Sequence, residues 1–112
     1  MKKTAIFAFK GEMMCFIHVL LNALDLHGKG HDVRVVLEGE AVALVKELED
    51  SRNPMYLKAK TLGLFHCVCK ACSAKMGVLE YNKNCGIPLS DEMSGHPAMS
   101  TYIDQGYAVI TM

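Results

Sequence analysis

The sequence predicts a three-layer α/β/α fold, in which helices cover both faces of a small parallel sheet of four main strands. Strand-like and helix-like segments alternate along the chain, and this alternation is typical of parallel sheets. Hydrophobic residues make up 51% of the 112 positions and charged residues 21%, as in an ordinary globular protein. At this length we expect a single domain over residues 1–112. Right-handed crossovers favour the strand order 2-1-3-4.

The first half of the chain is predicted to form two strands and three helices. Bulky β-favouring side chains indicate a strand over residues 3–9. An apolar helix over 12–26 is followed by glycines, which are common at helix ends. A second strand covers 32–37, and apolar residues at three- and four-residue spacing indicate an amphipathic helix over 40–50. A third helix over 53–61 begins with an Asn-Pro pair, a favourable start for a helix.

The second half continues the alternation with one interruption. A buried strand is predicted over residues 62–69, and a helix over 70–76 ends at a glycine. Residues 78–94 show no clear period, and we predict them to be mostly loop. A helix over 97–105 and a last strand over 107–112 complete the sheet.

Charge and cysteine usage restrict the class of protein. Twelve basic and twelve acidic residues cancel, so we expect no nucleic-acid partner and no binding to an anionic membrane. The apolar run at 5–9 is shorter than that of a signal peptide, and no run reaches the ~20 apolar residues of a membrane helix. The five cysteines are an odd number, and three are crowded together, unlike a secreted disulfide framework. We therefore expect a cytoplasmic protein.

Three cysteines lie within six residues, in the segment Cys67-Val-Cys-Lys-Ala-Cys72. Cys69 and Cys72 span the predicted end of a strand and the first turn of a helix. Free N–H groups and the helix dipole at such a position favour thiolate over thiol, so we expect a lowered pKa for at least one of them. Cys69 and Cys72 are therefore the candidate catalytic residues. Cys67 is expected on the same strand face as Cys69, as a buried packing residue.

The predicted strand order places a second segment beside these thiols. In the order 2-1-3-4 the chain reverses direction between strands 1 and 3, and ligands bind at the carboxyl ends of the strands there. The bordering loop contains Lys10, Gly11 and Glu12, which become candidate supporting residues. Cys15, in the first turns of the following helix, is a further candidate, with a core position as the alternative.

Two stretches resemble a known family. The segment Cys69-Lys-Ala-Cys-Ser-Ala-Lys-Met-Gly77 and the ending Tyr102-Ile-Asp-Gln-Gly-Tyr-Ala-Val-Ile-Thr111 are similar to the DsrE/DsrF-like family. The resemblance implies a small flavodoxin-like α/β fold, homo- or hetero-oligomers, and sulfur-relay proteins that carry persulfide on a cysteine. It places Cys69 at the relay cysteine of the DsrE and TusD branch, and Cys72 at the second thiol of a YchN-like branch. Cys67, together with Cys15 and Cys85, is additional to the family pattern.

The leading hypothesis is a sulfur-relay or thiol-transfer protein with partner proteins as sulfur donor and acceptor. Cys69 would carry the sulfur and Cys72 would assist, and the pattern leaves open whether the chain is an enzyme. No glycine-rich phosphate motif is present, and we expect no cofactor.

A second hypothesis is a non-catalytic module that binds a metal or a small ligand. Its metal ligands would be Cys67, Cys69, Cys72 and Cys85, with His66 or His96 as substitutes. The cysteine spacing is not that of a zinc ribbon, so we expect no metal at these residues.

The apolar first helix indicates a homo-oligomer. Its apolar residues occupy more than one stripe, and such a helix has to be covered on more than one side. The residues are Met13, Met14, Phe16, Ile17, Val19, Leu20, Leu21 and Leu24. The apolar first helix also supports a third hypothesis, in which the protein forms oligomers and has no catalytic activity.

Overall fold

The computed structural model describes residues 1–112 and contains a parallel five-stranded sheet with six α-helices. The strands are β1 (Lys3–Ala8), β2 (Asp32–Leu37), β3 (Phe65–Cys69), β4 (Leu89–Ser90) and β5 (Ala108–Thr111). The helices are α1 (Met13–Gly28), α2 (Leu44–Asp50), α3 (Pro54–Thr61), α4 (Lys70–Lys75), α5 (Leu79–Lys83) and α6 (Met99–Asp104). The predicted α/β class with a parallel sheet is confirmed. No helix has the length and apolar character needed to cross a membrane.

The strand order is β4-β3-β2-β1-β5, so the predicted order 2-1-3-4 is wrong. β3 pairs with β2 instead of β1, and the last strand pairs with β1. The chain moves outward one strand at a time from β1 to β4, in keeping with the tendency of consecutive strands to be neighbours, and then returns to the other side of β1. The reversal of direction therefore lies between β1 and β5, and β2 separates β1 from β3.

The stretch 78–94, predicted to be mostly loop, contains both α5 and β4. β4 has only two residues and α5 only five, too few for a hydrophobic period to become visible in the sequence. β4 adds an edge strand beside β3, through the pairs Val68 with Leu89 and Cys69 with Ser90. The sheet thus has five strands where four were predicted.

The two faces of the sheet are covered very unequally. One face carries a core of 22 buried residues, which includes apolar residues of α1, α2 and α3. The other face carries a core of six residues, with Tyr102 of α6 as its only helical member. Tyr102 is thus the one fully buried contact of α6 with this face, beside the partly buried Met99.

The helix predicted over 53–61 is observed as α3, with Asn53 as its N-cap. The Asn53 side chain accepts a hydrogen bond from the Tyr56 N–H at 3.0 Å, which satisfies one of the free donors of the first turn. The helix predicted over 40–50 is divided into a 3₁₀ turn, Gly39–Ala43, and α2.

Cys67 and Cys69 lie on opposite faces of the sheet, contrary to the expectation of a shared face. Cys67 belongs to the six-residue core and Cys69 to the 22-residue core. Val35 pairs with Phe65 but Val36 pairs with Cys67, so two residues of β3 advance against one of β2. This shift precedes Cys67 and separates it from Phe65. Cys69 is the last residue of β3 and also the N-cap of α4, where its Sγ accepts a hydrogen bond from the Cys72 N–H, so its side chain follows the start of the helix and not the alternation of a regular strand.

Candidate functional site

Four side chains with metal-ligating or nucleophilic atoms meet at the carboxyl edge of three neighbouring strands. Glu38 follows β2, Cys69 ends β3, Cys72 lies in α4, and His96 lies in the loop after β4. One ligand atom from each residue lies within 4.8 Å of all the others. Because the strands are parallel, their carboxyl ends and the residues that follow them come to the same edge.

The Nδ1 atom of His96 is at the centre of this group. It lies 3.0 Å from Cys69 Sγ, 3.7 Å from Cys72 Sγ and 3.3 Å from Glu38 Oε1. The Glu38 side chain is only 9% exposed, and its carboxylate faces this imidazole. A proton on Nδ1 can thus be shared between a buried carboxylate and two sulfur atoms.

Cys69 is the N-cap of α4, and its side chain is completely buried. The Cys72 N–H donates to Cys69 Sγ over 3.4 Å. Burial raises the pKa of the Cys69 thiol above its ordinary value, and the hydrogen bond from the Cys72 backbone lowers it only in part. The lowered pKa expected from the helix N-terminus is therefore not found at Cys69, because desolvation has the larger effect.

Cys72 is the thiol that reaches the surface. It is half-buried and lines a cavity of about 330 Å³ together with Gly39, Glu40, Lys75 and Met76. The His96 side chain is 37% exposed, whereas Cys69 is 0% exposed. Solvent therefore reaches Cys72 and His96, whereas Cys69 is shielded from it.

A chain of buried hydrogen bonds holds α4 and the Cys69 backbone in place. The Ser73 hydroxyl donates to the Cys69 carbonyl at 2.7 Å. The Asn82 amide donates both to the Ser73 hydroxyl, at 3.0 Å, and to the Val42 carbonyl, at 2.9 Å. Asn82 was not identified from the sequence because it lies in the stretch predicted to be loop.

The other predicted site residues do not join the two cysteines. Lys10 and Cys15 line a separate cavity with His18 and Met112. Glu12 is the N-cap of α1. Gly11 packs against Glu40, which shares the cavity of Cys72, so this loop touches the rim of the site through one residue.

The four-thiolate metal set is not assembled. Cys67 Sγ lies on the opposite face of the sheet, 3.4 Å from the Tyr102 hydroxyl, which also bonds His66. Cys85 is buried in the large core, and its Sγ contacts the Ile87 carbonyl. Of the proposed ligands, only Cys69, Cys72 and the substitute His96 come together.

Glu38 is a site residue that the sequence analysis missed. It directly follows the predicted second strand, and that position was the available signal. The predicted order placed strand 1 between strands 2 and 3, so Glu38 was expected two strands away from Cys69. The pairing of β2 with β3 brings them together.

The His96 loop is held by backbone contacts on two sides. Met93 and His96 exchange two backbone hydrogen bonds, at 2.7 and 2.9 Å, and the Ala71 N–H donates to the Gly95 carbonyl at 2.8 Å. Gly95 has a φ of +93°, and a Cβ at this position would lie 2.9 Å from Ala71 Cβ. The site therefore requires glycine next to His96.

Gly95→Ala is expected to lower the free energy of unfolding by about 1–3 kcal/mol, since both backbone strain and a steric contact are introduced. Urea denaturation monitored by circular dichroism measures this loss. Gly63→Ala is the matched control, because Gly63 also has a positive φ, +74°, but no atom lies within 4 Å of its Cβ position. Equal losses in the two variants would show that the contact with Ala71 contributes nothing.

The family model of the DsrE/DsrF-like family matches residues 6–112 of the chain. An uncharacterized protein of Methanocaldococcus jannaschii is 33% identical over 100 residues, which cover 89% of this chain and 82% of the relative. An uncharacterized protein of Archaeoglobus fulgidus is 35% identical over 43 residues, which cover 38% of this chain and 70% of the relative.

A solved structure of a conserved protein of unknown function from Bacteroides thetaiotaomicron has a similar fold. Its TM-score is 0.75 at 19% identity, and the match covers 99% of this chain and 95% of that protein. The family model covers nearly the whole sequence, including both cysteines of the site. The chain therefore belongs to the DsrE/DsrF-like family.

Proposed function

We propose that this protein is a sulfur-relay or thiol-transfer protein in which Cys69 carries persulfide sulfur and Cys72 assists. The observation that carries the proposal is the meeting of two thiols with a histidine nitrogen at an edge of the sheet where only one thiol reaches the surface. Family membership supports the same class of function. Sulfur-donor and sulfur-acceptor proteins would be the partners, and a reducing compartment such as the cytoplasm would keep both thiols available.

Cys69 requires a proton acceptor before it can act as a nucleophile. Burial raises the pKa of its thiol, so the thiolate does not form unaided near neutral pH. His96 Nδ1, at 3.0 Å, is placed to take the proton, and the Glu38 carboxylate, at 3.3 Å, stabilises the resulting imidazolium.

Sulfur enters through Cys72 and is stored on Cys69. The Cys72 thiolate attacks the outer sulfur of a donor persulfide, a new S–S bond forms, and the donor leaves as a thiol after taking one proton. The Cys69 thiolate then attacks the outer sulfur on Cys72, and the Cys72 thiolate is released. Neither step changes the summed oxidation state of the sulfur atoms, so no oxidant or reductant is needed. Transfer to a partner's thiolate repeats the same exchange.

Mass spectrometry of the reduced protein after incubation with a low-molecular-weight persulfide tests this function. We expect the mass of one additional sulfur atom on the peptide that contains Cys69 and Cys72, and its removal by cyanide. Cys15→Ser is the matched control and should load as the unmodified protein does, because Cys15 lies in a separate cavity. Absence of added sulfur, or equal addition to all five cysteines, would contradict the proposal.

We also propose that the protein is a homo-oligomer in which the outer surface of α1 contacts another copy. Met14 is 77% exposed and Leu21 is 48% exposed, one above the other on this helix. Burial of such side chains would stabilise an association of two chains.

Light scattering should therefore give a mass above that of the monomer at micromolar concentration. Leu21→Glu is expected to shift the protein toward monomer, and Leu62→Glu, at an exposed leucine outside α1, serves as the control. A monomer in the unmodified protein would refute this part of the proposal.

A further inference from the structure

The arrangement of Glu38, Cys69, Cys72 and His96 approaches the dimensions of a metal coordination shell. Two thiolates, one imidazole and one carboxylate around a tetrahedral ion have ligand–ligand separations of about 3.3–3.8 Å, given metal–ligand distances of roughly 2.0–2.3 Å. The three distances from His96 Nδ1 are 3.0, 3.3 and 3.7 Å, and all four ligand atoms lie within 4.8 Å of one another.

The hydrogen bonds among these four side chains converge on one atom. His96 Nδ1 carries at most one proton, yet a carboxylate oxygen and two sulfur atoms face it. Thiols are weak donors, and the nearly buried Glu38 carboxylate has no lysine or arginine as an ion-pair partner. A divalent cation at the centre would contact all four atoms and neutralise the charge of the carboxylate.

The ligands are held by the backbone before any ion arrives. Glu38 directly follows β2, Cys69 caps α4, and Cys72 follows within the same turn. His96 is fixed through its backbone pair with Met93. The cavity beside Cys72 gives a path from solvent. Rigid ligands and an open path are the features expected of a preformed metal site.

We propose that Glu38, Cys69, Cys72 and His96 form a binding site for a thiophilic divalent cation of the zinc class. Two sulfur ligands and one nitrogen select a borderline-soft ion over magnesium or calcium, which prefer oxygen. Binding converts the two thiols to metal-bound thiolates and releases two protons. This ligand set differs from the four-cysteine set considered from the sequence, and it combines residues from three segments of the chain.

A bound cation would occupy both thiols that the relay needs. Metal and persulfide sulfur would therefore exclude each other, and the cation would hold the site inactive until it is removed. This regulatory consequence depends on the proposed relay function, whereas binding of the metal itself does not.

Titration of the reduced, chelator-treated protein with Co²⁺ under anaerobic conditions tests the site. We expect saturation at one Co²⁺ per chain, a sulfur-to-cobalt charge-transfer band in the near ultraviolet, and intense visible bands typical of tetrahedral cobalt. Zn²⁺ should abolish these bands by displacement. A weak octahedral spectrum, or no charge-transfer band at saturation, would overturn the proposal.

Variants at single ligands identify the residues involved. Cys69→Ser and Cys72→Ser should each lose part of the charge-transfer intensity, and His96→Gln and Glu38→Gln should weaken binding by about 100-fold or more, beyond the usual effect of an outer-shell residue. Cys15→Ser and Glu47→Gln are the controls and should bind as the unmodified protein does. Unchanged spectra and affinity in all four ligand variants would refute the assignment.

Sulfur loading of the metal-free protein separates this inference from the proposed function. If sulfur loads but Co²⁺ gives no thiolate band, the metal site is wrong and the relay stands. If Co²⁺ binds but no sulfur loads, the metal site stands and the relay is wrong. Zn²⁺-loaded protein should load sulfur at least about tenfold more slowly, since metal-bound thiolates are poor nucleophiles. Equal rates would rule out the regulatory consequence.

Discussion

Cys69→Ser is expected to reduce stable sulfur loading to background, whereas Cys72→Ser should slow loading but retain the sulfur that reaches Cys69. The difference follows from burial, because Cys69 is completely buried and Cys72 opens to the cavity at the surface. A persulfide on Cys69 is protected from thiols in solution, and a persulfide on Cys72 is not.

Intact-protein mass spectrometry after removal of the donor measures both effects. The loaded protein is then exposed to a low-molecular-weight thiol, and the remaining sulfur is followed with time. Cys15→Ser provides the reference. Full retention of sulfur in Cys69→Ser would show that Cys72 is the carrier, and the assigned roles of the two thiols would be wrong.

Tyr102→Ala is expected to lower the free energy of unfolding by about 3–5 kcal/mol, a large share of the roughly 5–15 kcal/mol of a typical domain. Tyr102 is 1% exposed and is the only helical residue in the six-residue core. Its ring makes edge contacts with Phe7 and Tyr107, at centroid distances of 5.4 and 6.1 Å. Truncation would therefore remove the one buried side chain of α6 and leave the partly buried Met99 as its apolar contact with this core.

Tyr102→Phe separates the ring from the hydroxyl group. The hydroxyl bonds His66 and Cys67, so its removal should cost about 0.5–1.5 kcal/mol, well below the cost of removing the ring. Urea denaturation of both variants measures the two contributions. A loss below about 1 kcal/mol in Tyr102→Ala would mean that α6 is held by other contacts.

Part of the site could be found from the sequence because its signals are local. Cys69 and Cys72 were identified from their position at a strand–helix junction, and the structure places Cys69 as the N-cap of α4. His96 appeared only as a substitute metal ligand, since nothing within a few residues of it indicates the cysteines. Nothing in the sequence around Asn82 indicated its role, because α5 has only five residues and could not be recognised as a helix.

The raised pKa of Cys69 could not be predicted from the residues around it in the sequence. The sequence identified the N–H group that favours the thiolate, and this contact is present. The larger effect comes from desolvation by neighbours on other elements, and no local pattern reports it. Burial of a side chain depends on the whole fold, so its electrostatic consequence could not be predicted from the segment alone.

The sequence by itself determined the α/β class, the position of nearly every main strand and helix, and the junction that holds the two thiols, because each depends on hydrophobic period, helix ends and turns within a few residues. Only the tertiary structure decided the strand order, the opposite faces of Cys67 and Cys69, and the meeting of Glu38 and His96 with the cysteines. Glu38 and His96 are 58 residues apart, and His96 is 27 residues from Cys69. Contacts over such separations follow from which strands pair and in which register, and that choice is made by the packing of the whole chain.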